Sequence, residues 1–194
     1  AAHVLGISNI LVTHSEEMSQ SDHREAQTVS DIDESELLAA LRSLSKGRDM
    51  EGFELDGIPS FTTGCTIASY ENEQMLDKEL EVAAKKVAAG ASFVITPPVF
   101  DIATFDSFME KAKGLGVPVI PTVFLLKSLA IAQYIANSEP GANISDDLIR
   151  RIRKSPDREV EGIKIAGETI AALKQKAQGV KAQTLGWEHK LPDI

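Results

Sequence analysis

One pattern recurs along the chain and constrains the fold more than any other. A helical stretch ends in glycine, and an apolar run follows within a few residues. "EQMLDKELEVAAKKVAAG" leads into "SFVIT", "ATFDSFMEKAKGLG" into "VPVIPTVF", and "DREVEGIKIAGETIAALKQKAQG" into "VKAQTLG". Repeated helix–glycine–strand units of this size imply right-handed crossovers between parallel strands. Unbroken runs such as "FVIT" and "VPVI" suit strands covered on both faces. Two earlier runs, "NILVT" and "SFTTGCTIA", extend the series to five strands. "AAHVLGIS" reads as a helix end with Gly6 as its cap. "DIDESELLAALRSLSKGRD" reads as a helix with Asp33 as N-cap, Glu36 closing a capping box, and Leu37, Leu38, Leu41 and Leu44 as its apolar stripe. "SLAIAQYIANSEPG" and "SDDLIRRIRKS" supply two more helices, and residues 50–59 and 14–28 read as loops.

Such an alternation fits a doubly wound open sheet or part of a (β/α)8 barrel. A dinucleotide-binding sheet places a glycine-rich turn after its first strand. Here that turn reads "THSEEMSQSDH", without glycine. The glycines lie instead before the strands, where they end the preceding helices. The expectation is therefore α/β of the (β/α)8 TIM-barrel type. Its functional loops follow the carboxyl ends of the strands, at 13–17, 66–70, 96–100, 122–127 and 184–188.

Composition sets outer limits. The 194 residues are 43% hydrophobic and 25% charged, as expected of a single globular domain over 1–194. A formal charge of −9 argues against nucleic acid or an anionic membrane as a partner. A single cysteine, Cys65, fits a reducing, cytoplasmic setting and reads as a small core residue. No run has the length of a membrane span, and no His/Cys/Asp/Glu grouping has metal-ligand spacing.

The segments "LGISNILVTHSEE", "LAALRSLSKGRDMEGFELDG", "KKVAAGASFVITPPVFD", "VPVIPTVFLLKSL" and "EGIKIAGETIAALK…VKAQTLGWEHKLPDI" together resemble the methylenetetrahydrofolate reductase family, in the family's order. The insert "GRDMEGFELDG" is the most telling piece, since no fold rule demands it. The resemblance implies a (β/α)8 barrel that holds FAD at the carboxyl ends of its strands. NAD(P)H or another reductant would feed hydride through the flavin to methylenetetrahydrofolate, giving methyltetrahydrofolate. It also implies that the chain carries about five of eight βα units, starting before the family's fourth strand and lacking its general-acid glutamate.

Residue by residue, the resemblance places Glu16, with Thr13, His14 and Ser15, at the flavin. Glu16 and Ser15 stand where the family has an acid and a glycine. Lys85 and Lys86 align with basic residues near the FAD pyrophosphate, and Glu79 with an acid on the nucleotide half. Thr66 and Tyr70 join the cofactor loop, Tyr70 as a stacking ring. Thr96, Pro97 and Leu129 fall at substrate positions. Pro97 replaces the family's glutamine, and Leu129 replaces its aromatic residue. Each has a plainer reading: a solvated loop for His14 and Glu16, a wet helix face for the lysines. Pro97 and Pro98 read as a stiff apolar wall at the start of a loop, with Thr96 pushed toward an extended backbone.

Three functions compete. The first is a flavin-dependent reductase acting on methylenetetrahydrofolate or a related pterin. The second is a non-catalytic barrel-derived subunit supporting a redox or methyl-transfer complex. The third is an aldolase-like barrel with a phosphate site, for which "TLGWEHK" offers only Gly186 and Lys190. An incomplete ring would also leave interior side chains wet, forfeiting roughly 1.5–3 kcal/mol for each Val, Ile or Phe. A homo-oligomer, or a further segment supplying the missing strands, is accordingly expected.

Overall fold

The computed structural model describes residues 2–14, 22, 25–27, 29–68, 73–138 and 144–194. Its strands are β1 (Asn9–Val12), β2 (Thr62–Thr66), β3 (Phe93–Pro98), β4 (Val119–Phe124) and β5 (Lys181–Gln183). The helices are α1 (Glu34–Leu44), α2 (Glu73–Ala89), α3 (Ile102–Ala112), α4 (Leu129–Ser138), α5 (Asp146–Lys154) and α6 (Arg158–Leu173). The five parallel strands form one sheet in the order β1-β2-β3-β4-β5. That order never reverses, so there is no switch point of the doubly wound kind. Sequential parallel strands with helices between them are barrel topology, and the chain is a partial (β/α)8 barrel.

Two compact units make up the chain: Ala1–Thr66 with Val82–Phe93, and Ile67–Glu81 with Val94–Ile194. In the first, Asp33 caps α1 and accepts from Glu36 N, while Glu36 reaches back to Asp33 N, completing the capping box. Leu38 and Leu41 are buried as the stripe requires, but Leu37 turns outward and Ala40 takes a core place. β1 pairs β2 from Asn9↔Thr62 to Val12↔Cys65. Cys65 is fully buried, and burial pushes its thiol pKa up. Gly64 sits beneath the ring of Phe93, whose nearest carbon lies 2.2 Å from where a Cβ would stand. The expected helix end at residues 1–8 is a hydrogen-bonded turn, with Leu5 N on Ala2 O and Gly6 N on His3 O.

In the second unit, Phe105 and Phe108 of α3 are buried, and Asp101 caps that helix through Ala103 N and Thr104 Oγ1. A further cluster gathers Phe124, Leu126, Ala132, Ile135, Ile152 and Ile165. Gly162 lets α6 press on the chain after β4, since a Cβ there would lie 2.2 Å from the Leu126 carbonyl oxygen. β5 is shorter than "VKAQTLG" suggests. Leu185, just beyond it, adopts φ 47°, the left-handed backbone that ends a strand.

Leu11, Phe93 and Ile120 are half-buried. Among the described residues no helix is long and apolar enough to cross a membrane.

The main correction concerns the two prolines. They do not open a loop; both lie inside β3. A central strand loses ladder donors at proline, so it needs a substitute. The register with β4 shifts between Ile95 and Pro98, and two threonines bridge the gap. Thr122 Oγ1 donates to Thr96 O at 2.7 Å, and Thr122 N donates to Thr96 Oγ1 at 3.3 Å. Thr96 Oγ1 donates in turn to Pro97 O at 2.8 Å, and the ladder resumes with Val99 N on Thr122 O.

Candidate functional site

In the first unit, the carboxyl ends of β1 and β2 carry a chain of polar contacts. His14 follows β1, and its Nδ1 lies 2.9 Å from Glu34 Oε1 in the first turn of α1. Glu34 Oε2 meets the Lys86 ammonium at 2.5 Å in an ion pair. Lys86 Nζ also donates to Thr66 O at 3.1 Å, at the end of β2. The exposures are graded: the Lys86 side chain is 10% exposed, Glu34 19%, and His14 79%. Burial alone would raise the Glu34 pKa. Its contacts with Lys86 and His14 outweigh burial and hold the carboxyl below its ordinary range.

An ionised Glu34 can only accept hydrogen bonds, so the proton it shares with His14 belongs to Nδ1. The His14 ring is exposed beyond that contact. A cleft of about 270 Å³ lies beside it, walled by Val12, Ile32 and Leu37, with Ser30 and Asp33 as further polar lining.

The expected site residues distribute unevenly over this geometry. Thr13 and His14 are exposed on the cleft, and Thr66 contributes its carbonyl. Lys85 and Lys86 part company: Lys86 turns inward to Glu34, while Lys85 lies on the exposed helix face, where helical geometry sends adjacent residues in different directions. Ser15, Glu16 and Tyr70 lie outside the described residues.

In the second unit, Glu79 Oε2 accepts from Ala68 N at 3.0 Å and so closes the chain after β2. Thr96 is buried in its clasp with Thr122. Pro97 is a half-buried strand residue, and Leu129 packs against the Phe124–Leu126 cluster. Beyond β5, Glu188 Oε1 accepts from Thr184 Oγ1 at 2.6 Å and from Gly186 N at 3.1 Å. Lys127 bonds Leu185 O and stands 5.1 Å from the centre of the Trp187 ring.

A dinucleotide cofactor asks for free cations or clustered N–H donors at its pyrophosphate. Among the described expected residues the one inward cation is Lys86, already neutralised by Glu34, and Glu79 is occupied by Ala68. Lys86 and Glu79 are thus committed to protein partners, while Lys85 stays exposed on the same helix. Glu34 itself was not singled out in the sequence. Its place in the first turn after β1 was legible, but its pairing with Lys86, fifty-two positions away, was not.

The methylenetetrahydrofolate reductase family model matches residues 1–194. No curated protein matches the chain. Among solved structures, an uncharacterized protein from Clostridium thermocellum that binds two copies of 5-methyl-5,6,7,8-tetrahydrofolic acid aligns at 15% identity with a TM-score of 0.47. The alignment covers 71% of this chain and 51% of that one, so the chain spans about half of that protein's length. A family match that runs from the first residue to the last, on a sheet of sequential parallel strands, settles the kinship: the chain belongs to the methylenetetrahydrofolate reductase family.

Proposed function

We propose that this chain is a folate- or pterin-handling module of one-carbon metabolism, acting as a non-catalytic partner in a redox or methyl-transfer complex. The family match over the whole chain supports the ligand class. The observation that carries the non-catalytic reading is the Glu34–Lys86 ion pair, which engages one of the two lysines aligned with the flavin pyrophosphate. The module acts as one cytoplasmic domain over 1–194, completed by a second copy or by a segment that supplies the remaining strands.

The second reading is the flavin-dependent reductase that family membership favours, with FAD and NAD(P)H reducing methylenetetrahydrofolate. In it Glu16 would serve as the acid at the flavin, with Ser15 and Tyr70 beside it. Two titrations separate the readings. Calorimetry with tetrahydrofolate should show binding, while the protein should stay colourless and leave added FAD free. Stoichiometric uptake of FAD with a flavin spectrum would restore the reductase reading. Failure to bind tetrahydrofolate would remove the folate assignment.

A further inference from the structure

We infer that copies of this chain associate head to tail, the hairpin at residues 47–58 of one copy docking on the basic face of α5 of the next. The hairpin is fixed by its own hydrogen bonds. Arg48 and Glu54 form an antiparallel bridge and an ion pair, Asp49 Oδ1 accepts from Glu51 N and Phe53 N, and Arg48 Nη1 donates to Gly52 O. This frame holds Met50, Phe53 and Ile58 outside, each at least 65% exposed. Met50 also walls a groove of about 260 Å³ against Ile32, Ala39 and Ala40. Large apolar side chains on a rigid projection mark an association surface, because little ordering is left to be lost on binding.

Charge decides what covers that surface. Glu51, Glu54 and Asp56 stand around the apolar residues, and neither Glu51 nor Asp56 has an ion-pair partner among the described residues. A like-with-like contact would set these carboxylates against their own copies. Opposite charge is found on α5. Arg150, Arg153 and Lys154 are exposed there, Arg158 follows at the start of α6, and of these four only Arg150 has an ion-pair partner among the described residues. Val160, also exposed, adds an apolar side chain in the same turn as Arg158. The imbalance runs through the whole chain: residues 1–89 carry 17 of the 29 acidic side chains but 7 of the 20 basic ones. An acidic projection and a basic helix on one chain favour a heterologous contact over a two-fold one. The contact involves no backbone of β1 or β5, so it is distinct from completion of the sheet and independent of the ligand.

Sedimentation velocity on the full chain tests it, from micromolar to near-millimolar concentration. The chain should self-associate, and less so as salt rises, since exposed charge pairs are screened. Met50→Ser with Phe53→Ser disarms the hairpin, and Arg153→Gln with Lys154→Gln disarms the helix; all four side chains are exposed, so folding is not at issue. Each variant alone should associate roughly tenfold more weakly than the parent. Mixed in equal amounts, the two should form a 1:1 complex and nothing larger, because one intact hairpin then meets one intact helix. A parent that stays monomeric, association that salt leaves unchanged, or variants that associate as the parent does would overturn the proposal. So would a mixture no heavier than its components.

Discussion

The ends of β1 and β2 and the middle of β3 and β4 both bury polar groups, yet they differ in kind. At β1 and β2 the buried groups are charged, and their chain runs outward from Thr66 O through Lys86 and Glu34 to an exposed imidazole. At β3 and β4 they are neutral hydroxyls whose bonds close on each other and on Pro97 O. The first arrangement delivers a polar atom to a cleft; the second mends a ladder that two prolines interrupt. Positions at strand ends are therefore not equivalent as site candidates. What decides is whether the last group in the network faces outward.

Four measurements sharpen that contrast, beginning with a packing control expected to exceed either network. Gly162→Ala would drive a Cβ into a backbone carbonyl that cannot turn aside, with an expected loss of about 3 kcal/mol or more in urea unfolding. Gly64→Ala meets the ring of half-buried Phe93, which can tilt, so its loss should be smaller. Equal losses would mean that Phe93 is as fixed as backbone.

Lys86→Met leaves Glu34 Oε2 without its counter-ion in a largely buried place, with an expected cost of roughly 2–4 kcal/mol. Lys85→Ala, on the exposed face of the same helix, should stay within about 0.5 kcal/mol of the parent. Similar values for the two lysines would sink the inward–outward distinction.

Thr122→Val keeps the shape of the clasp and removes a hydroxyl donor, which should cost about 1–2 kcal/mol without changing tetrahydrofolate affinity. A matching loss of affinity would mean that β3 and β4 also serve the ligand.

The smallest effect concerns acid. The folded-state pKa of Glu34 lies below its ordinary value, so its contribution is present above that ordinary value, near 4.5, and disappears as pH falls through the lowered one. Stability of the parent should therefore drop on acidification below about pH 4.5 through this group, and Glu34→Gln should lack that component. Unfolding curves for the two proteins that fall in parallel across this range would contradict the assignment.

Much of the scaffold was legible in sequence because it depends on neighbours along the chain. The Asp33–Glu36 box spans one helical turn, and Leu38 and Leu41 share a face through the helical period. β3 misled because proline reads locally as a strand breaker. Its rescue comes from Thr122, twenty-six residues from Thr96, and no local pattern reports it. Lys85 and Lys86 looked interchangeable for a similar reason: the carboxylate that distinguishes them sits on another helix.

Consecutive residues carry the succession of strands and helices, the Asp33 cap, the family resemblance and the barrel class, since period, punctuation and short-range hydrogen bonding are local. Tertiary structure alone decided which polar groups are already satisfied. Coulomb and hydrogen-bond partners are chosen by distance in space, so Lys86 became a counter-ion, Thr96 a clasp, Leu129 a core residue, and His14 the group left facing the cleft.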